Sequence, residues 1–343
     1  MYTMQYNKTL AESTAHRERW LDCAKGIGAL LVILGHTYYI PAALKFFIYS
    51  FHMPLFFILS GMTMRISDNK PFRQTVIKYA RVYLIPYLVL SLINLVLQSL
   101  WLLWIGQLTL SKVLTYLAGI AYCYANMDWM PNCSPLWFLP CTFICKLLFL
   151  IILRRVPQKL QLPSILACAG ISYVLYLTNA PRLPWNLATA LMAISFLWIG
   201  WYLQNKGICK KLLHLKTAAI LMLLLVILSP FLIANGGKVG MNENTYGNIL
   251  WFFTGGVGYS LAVIVLSHKI SGFRFFTDFL GRNTIIVIGF NYFARHAATE
   301  FYYMIPMIRN IPINAISLFC GTFMIMVCII FGWNVYFSKK VRT

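Results

Sequence analysis

Charge, and acidic charge above all, is what this 343-residue sequence has little of: 11% of residues are charged and eight are Asp or Glu, against 60% apolar residues. That polar surface is too small to coat a soluble globule of this length. No C-x-x-C pair occurs among the nine cysteines, so no metal site is expected. Cys141 and Cys145, at i and i+4 in an apolar run, read as packing residues. Cys123 and Cys133 flank a loop and pair only if that loop faces an oxidising compartment. No long Gly/Ser/Pro linker interrupts the chain, which predicts one membrane domain without a soluble appendage. No small-residue cleavage pattern follows the first apolar run, so that run is expected to stay in the protein.

What is present is a series of apolar runs of about 17 to 25 residues from Trp20 to Phe337, the length that crosses a hydrocarbon core of roughly 30 Å as a helix. The expected fold is an all-α polytopic membrane protein. Its about ten spans lie near 22–40, 44–62, 82–105, 135–153, 163–178, 186–203, 217–234, 247–267, 284–304 and 313–337. The net charge of +21 does not indicate nucleic acid, because Lys and Arg fall between the apolar runs. Most of them, including Arg65, Lys78, Arg81, Arg154, Arg155, Lys269 and Arg282, fall on the side of the termini, whereas Lys45, Lys112, Arg182, Lys238 and Arg309 fall opposite. The positive-inside rule then predicts a cytoplasmic segment at 1–19, a transmembrane domain at 20–338 and a cytoplasmic basic tail at 339–343. The stretch 106–134 holds too short an apolar run to span and reads as an outer re-entrant or interfacial segment. The outer loop 235–246, NGGKVGMNENTY, either binds a polar ligand or simply connects two helices.

In the first span, positions 22, 25, 29, 32 and 36 step by three and four, so Asp22, Lys25 and His36 share one helical face. Lys25 and His36 differ by about 20° of rotation and roughly 16 Å of rise on an ideal helix. The two groups point the same way at different depths, with His36 past the midpoint. An ionisable side chain there costs about 2 to 3 kcal/mol unless it faces an interior cavity. A neutral imidazole is also the natural base near pH 7. Asp22 lies too far from His36 to orient it and is the expected partner of Lys25. His52, or a polar group on another helix, is expected to set the His36 tautomer, although His52 also reads as a packing residue. Gly26, Gly28 and Gly35 allow a backbone or a ligand to approach closely.

The spacing Lys25 to His36 resembles the first-span mark of acyltransferase family 3, membrane-bound O-acyltransferases whose short members acetylate bacterial cell-surface polysaccharides; Lys stands where many members have Arg. The resemblance extends over nearly the whole chain. FHMPLFFILSG at 51–61 is similar to the second-span signature, in which Pro54 kinks the helix and frees backbone carbonyls. KYARVYLIPY at 78–87 resembles the basic pair before the third span. PLWFL at 135–139 resembles the W-F-L start of the fourth, and LGRNT at 280–284 resembles the start of the penultimate helix, where Asn291 takes a place many members give to histidine.

The resemblance implies a bacterial inner-membrane, multi-pass O-acyltransferase with both termini cytoplasmic. Its acyl donor would be acetyl-CoA, held through its phosphates by Lys25, Lys78 and Arg81, although Lys78 and Arg81 are equally read as topogenic. The acceptor would be a saccharide or lipid-linked glycan, and His36, with His52, would act as general base or transient acyl carrier. Trp137 either stacks on a sugar or anchors at the interface. Asn291, Arg295, His296 and Glu300 make the ninth span polar, either as a substrate site or through an internal Arg295–Glu300 pair. A glycan transporter or a non-catalytic membrane sensor would use the same buried polar groups without acyl transfer.

Overall fold

The computed structural model describes residues 18–65, 71–208, 215–306 and 311–340, so most of the 1–19 segment and all but two residues of the 339–343 tail lie outside the described residues. The protein is all-α, and among the described residues extended pairing is limited to one isolated bridge, Gly240 with Thr245. The helices are α1 (Arg19–Gly35), α2 (Ala42–Met62), α3 (Phe72–Tyr79), α4 (Ile85–Trp104), α5 (Leu110–Tyr122) and α6 (Phe138–Arg155). They continue with α7 (Gln158–Leu177), α8 (Leu187–Asn205), α9 (Leu215–Asn235), α10 (Ile249–Lys269), α11 (Thr284–Met304) and α12 (Ala315–Lys340).

Seven helices among the described residues are long and apolar enough to cross a membrane. One of them is the 33-residue unit Phe72–Trp104, in which α3 runs through a π-helical turn, Ala80–Leu84, into α4. Of the other expected spans, α1 has only 17 residues and α11 carries Asn291, Arg295, His296 and Glu300, so neither meets that standard, while the 21-residue α9 includes side chains outside the described residues. Large apolar side chains such as Leu103, Leu166, Ile316 and Phe331 remain exposed, as a lipid-facing surface requires.

Interhelical seams are set by small residues. A Cβ on Gly61 of α2 would overlap the Leu197 carbonyl, and one on Gly200 of α8 would overlap the Ile58 carbonyl, so α2 and α8 pack backbone to backbone. The second seam joins α1 to the π-helical segment Phe275–Gly281, which precedes α11. There a Cβ on Gly26 would meet the Phe276 carbonyl and one on Gly281 the Asp22 carbonyl. This seam places the Asp22–Lys25 turn beside Arg282.

The 106–134 stretch contains α5, whose 13 residues span about 20 Å, too little to cross. Thr109 caps its start by accepting from the Lys112 N–H, and Cys123 ends it in the left-handed region at φ 59°. Trp185 Nε1–H donates to the Ala121 carbonyl. The chain then returns through a 3-10 turn, Ser134–Trp137, into α6. Cys123 and Cys133 stand as free, buried thiols, and burial pushes both up to about 12.

The loop 235–246 is anchored rather than loose. Thr189 Oγ1–H donates to the Met241 carbonyl at 2.6 Å, and Ser172, Asn244 and Tyr246 join in one hydrogen-bonded group. Asn248 caps α10 by accepting from the N–H groups of Leu250 and Trp251.

Candidate active site

α1 ends early. Its 17 residues rise about 26 Å, and the chain leaves the helix at His36. Gly35 packs against Ile48 and Tyr49, the second turn of α2, so the first turn of α2 stands above the end of α1. The non-helical link from His36 therefore lines a recess, the setting in which irregular backbone is tolerated at depth.

An early helix end leaves carbonyls without partners, and the last turn of α1 contains no cation of its own. Arg295 of α11 supplies one. Its Nη1–H donates to the His36 carbonyl at 2.9 Å, and its guanidinium lies 4.1 Å from the Tyr38 ring centroid and 4.3 Å from that of Tyr292. A cation at a helix C-terminus is favoured by the helix dipole, and Arg295 is buried in that position.

The imidazole is oriented by its own helix. His36 Nδ1 lies 2.8 Å from the Val32 carbonyl, and His52 Nδ1 lies 2.8 Å from the Ile48 carbonyl. A carbonyl only accepts, so Nδ1 carries the proton in both rings and Nε2 holds the lone pair. The tautomer of His36 is thus set by Val32, four residues earlier, and not by His52 or another helix. The two rings meet edge to face at 6.5 Å, with Tyr49 5.8 Å and Tyr292 5.1 Å from His36.

Three cavities lie in series around these rings. A small one, about 30 Å³, is lined by His36, His52, Ser134, Trp137, Phe138 and Tyr292. Toward the Arg19 end, a cavity of about 270 Å³ holds Lys25, Ser60, Thr63, Tyr83 and Arg282, and shares Phe138 and Ile288 with the small one. Toward the opposite end, a vestibule of about 540 Å³ contains Tyr38, Lys45, Lys238, Glu243 and Arg295, and shares His36, Tyr49, Asn242 and Tyr292. His36 is therefore a wall common to the small cavity and the vestibule, and Phe138 and Ile288 are walls common to the small cavity and the Lys25 cavity.

The expected site residues divide accordingly. Asp22 is buried, and Lys25 Nζ lies 3.6 Å from its carboxylate, the i, i+3 pair anticipated on this face. Trp137 is buried in the His36 cavity and so is not an interfacial anchor. Lys78, at the end of α3, and Arg81, within the π turn, are exposed and do not line the Lys25 cavity; Arg282, paired with Asp278 at 3.1 Å, does. Glu300 does not join Arg295. Five residues apart, they project about 140° from each other, whereas His296 and Glu300 at i, i+4 face each other at 3.8 Å. Asn291 is fully buried, and neither of its amide atoms has a hydrogen-bond partner. Tyr49, Tyr292, Lys45, Asn242 and Glu243 join the site from elements that the sequence pattern alone did not connect with His36.

No cluster of His, Cys, Asp or Glu able to hold a metal ion occurs among the described residues. What the arrangement can do is present the Nε2 lone pair of His36 where a small cavity meets a wider vestibule, with the cation-bearing Lys25 cavity adjoining the small one on the other side. A family model described as an acyltransferase domain, that of acyltransferase 3, matches residues 18–333. No curated protein and no solved structure matches the chain.

Proposed function

The chain belongs to the acyltransferase 3 family and is a membrane-bound acyltransferase, and from that premise we propose that it moves an acetyl group from cytoplasmic acetyl-CoA to a hydroxyl of a saccharide or lipid-linked glycan on the outer side. The observation that carries this reading is the position of His36 as a wall common to the small cavity and the outer vestibule. Lys25 and Arg282 supply cations for the phosphates of the donor. From Lys25 to His36 the helix rises about 16 Å, a length of the same order as the extended pantetheine arm. The small volume at His36 supports a short acyl group over a long one.

Nε2 of His36 takes the proton of the acceptor hydroxyl as its oxygen attacks the thioester carbonyl. Collapse of the tetrahedral adduct forms the ester and breaks the C–S bond, and the imidazolium returns the proton to the departing thiolate. Nε2 is equally the atom that would carry the acyl group in a two-step transfer, and rapid-quench trapping of acyl-histidine separates the two courses. Val32 holds the tautomer, Arg295 holds the end of the helix that bears His36, and Trp137 and Tyr292 offer faces for a sugar. Arg65, Arg154 and Arg282, assigned to one side of the bilayer by the loop pattern, support an inner-membrane protein with that side cytoplasmic.

The test uses purified protein in oriented proteoliposomes with acetyl-CoA on one side and a glycan acceptor on the other. Acetyl ester on the acceptor is expected only when donor meets the Lys25 side. Equal transfer with the donor on the vestibule side would contradict the assignment.

A further inference from the structure

The outer vestibule is built for an anion. Three cations, Lys45, Lys238 and Arg295, line it against a single carboxylate, Glu243. Glu243 is occupied, since Lys238 Nζ donates to it at 3.0 Å. Lys45 and Arg295 form no ion pair among the described residues, and neither is neutralised by another acid in the vestibule wall. Their nearest charged-group contacts are tyrosine faces: Lys45 Nζ lies 5.7 Å from the Tyr49 centroid, and the Arg295 guanidinium lies against Tyr38 and Tyr292. Arg295 uses donors on the His36 carbonyl and the Tyr292 side chain, and the rest of its five N–H groups remain on a planar group suited to carboxylate or phosphate.

Position adds to the charge. Tyr49 and Tyr292 are the two rings that flank His36 from the vestibule, so each unpaired cation stands one aromatic ring away from the imidazole. The vestibule volume of about 540 Å³ suits one or two sugar rings. A ligand held by both cations therefore has its anionic group beside the two rings that flank His36.

We propose that the acceptor is an anionic saccharide, carrying a carboxylate or phosphate on the acylated sugar or its immediate neighbour, held by Lys45 and Arg295. Calling this ligand the acceptor rests on the acyl-transfer reading; the anion site itself does not.

The test is equilibrium binding to the protein in lipid nanodiscs, without acyl donor. The probes are a glucuronate-containing disaccharide, its carboxyl-reduced neutral counterpart, and the same neutral disaccharide bearing a phosphomonoester. The expected result is that one or both anionic probes bind at least about tenfold tighter than the neutral one, as one charge-assisted contact provides. The tighter of the two identifies the group. Raising ionic strength and Lys45→Glu should each erase most of that preference. Lys112→Gln, which removes a cation outside the vestibule, should keep it within about twofold. Equal affinities for all three probes, or a preference that survives Lys45→Glu, would overturn the proposal. Acyl transfer is then measured with the same probes. Anion-selective binding without transfer would sink the acyltransfer reading and leave the anion site; transfer with equal affinities would do the reverse.

Discussion

Replacing Arg295 with glutamine removes the cation that closes the end of α1. The lost Nη1–H donor, 2.9 Å from the His36 carbonyl, is a charge-assisted hydrogen bond of about 1.5 to 3 kcal/mol. The two tyrosine faces at 4.1 and 4.3 Å add about 1 kcal/mol or more together. Part of this is recovered, because the vestibule admits water to the freed carbonyl and glutamine retains a shorter donor. The net cost to stability is therefore about 1 to 3 kcal/mol, small enough for a folded, solubilised protein. The catalytic cost is larger, since a shift of His36 by about 1 Å lowers the rate roughly 100-fold. Steady-state acyl transfer by Arg295→Gln should show this in kcat, with Arg295→Lys intermediate because it keeps the charge and loses the plane. Wild-type kcat in Arg295→Gln, with only the acceptor KM raised, would refute a positioning role and leave Arg295 as a contact to substrate alone.

Lys25→Ala and Arg282→Ala should each weaken donor binding about tenfold or more, measured by titration with acetyl-CoA, while Lys78→Ala and Arg81→Ala, whose side chains lie outside that cavity, should change it less. Gly200→Leu forces α8 away from the Ile58 carbonyl of α2 and should lower thermal stability in detergent by about 1 to 3 kcal/mol; an unchanged melting profile would contradict the close seam. Cys123 and Cys133, with thiols pushed up to about 12, present a thiolate fraction of about one in ten thousand at pH 8. Maleimide should label them only after unfolding, and prompt labelling of the folded protein would show that the α5 end opens.

The first-span stripe was legible because Asp22, Lys25 and His36 follow helical periodicity, a property of one segment. The Asp22–Lys25 pair and the shared direction of Lys25 and His36 follow from that. What periodicity does not contain is the place where a helix stops relative to its neighbours. Nothing local marks the link after His36 as sunken, since its depth depends on the register of Gly35 against Ile48 and Tyr49. Arg282 stands within the LGRNT motif but owes its place beside Lys25 to the Gly26–Gly281 seam, a contact between segments about 250 residues apart. Glu300 lies near Arg295 in sequence, but the offset of five residues directs them apart. Run length marks seven membrane-crossing helices among the described residues, and α1 and α11 are the helices where shortness or polarity weakens that rule.

The central claim is that Nε2 of His36 carries the acyl-transfer step while Lys25 holds the donor. The measurement that tests it most directly compares wild type, His36→Ala and Lys25→Ala for acetyl-CoA binding and for acceptor-dependent release of CoA. The account predicts that His36→Ala binds donor normally and loses about 100- to 10,000-fold in transfer, whereas Lys25→Ala weakens donor binding about tenfold or more. Undiminished transfer by His36→Ala would contradict it.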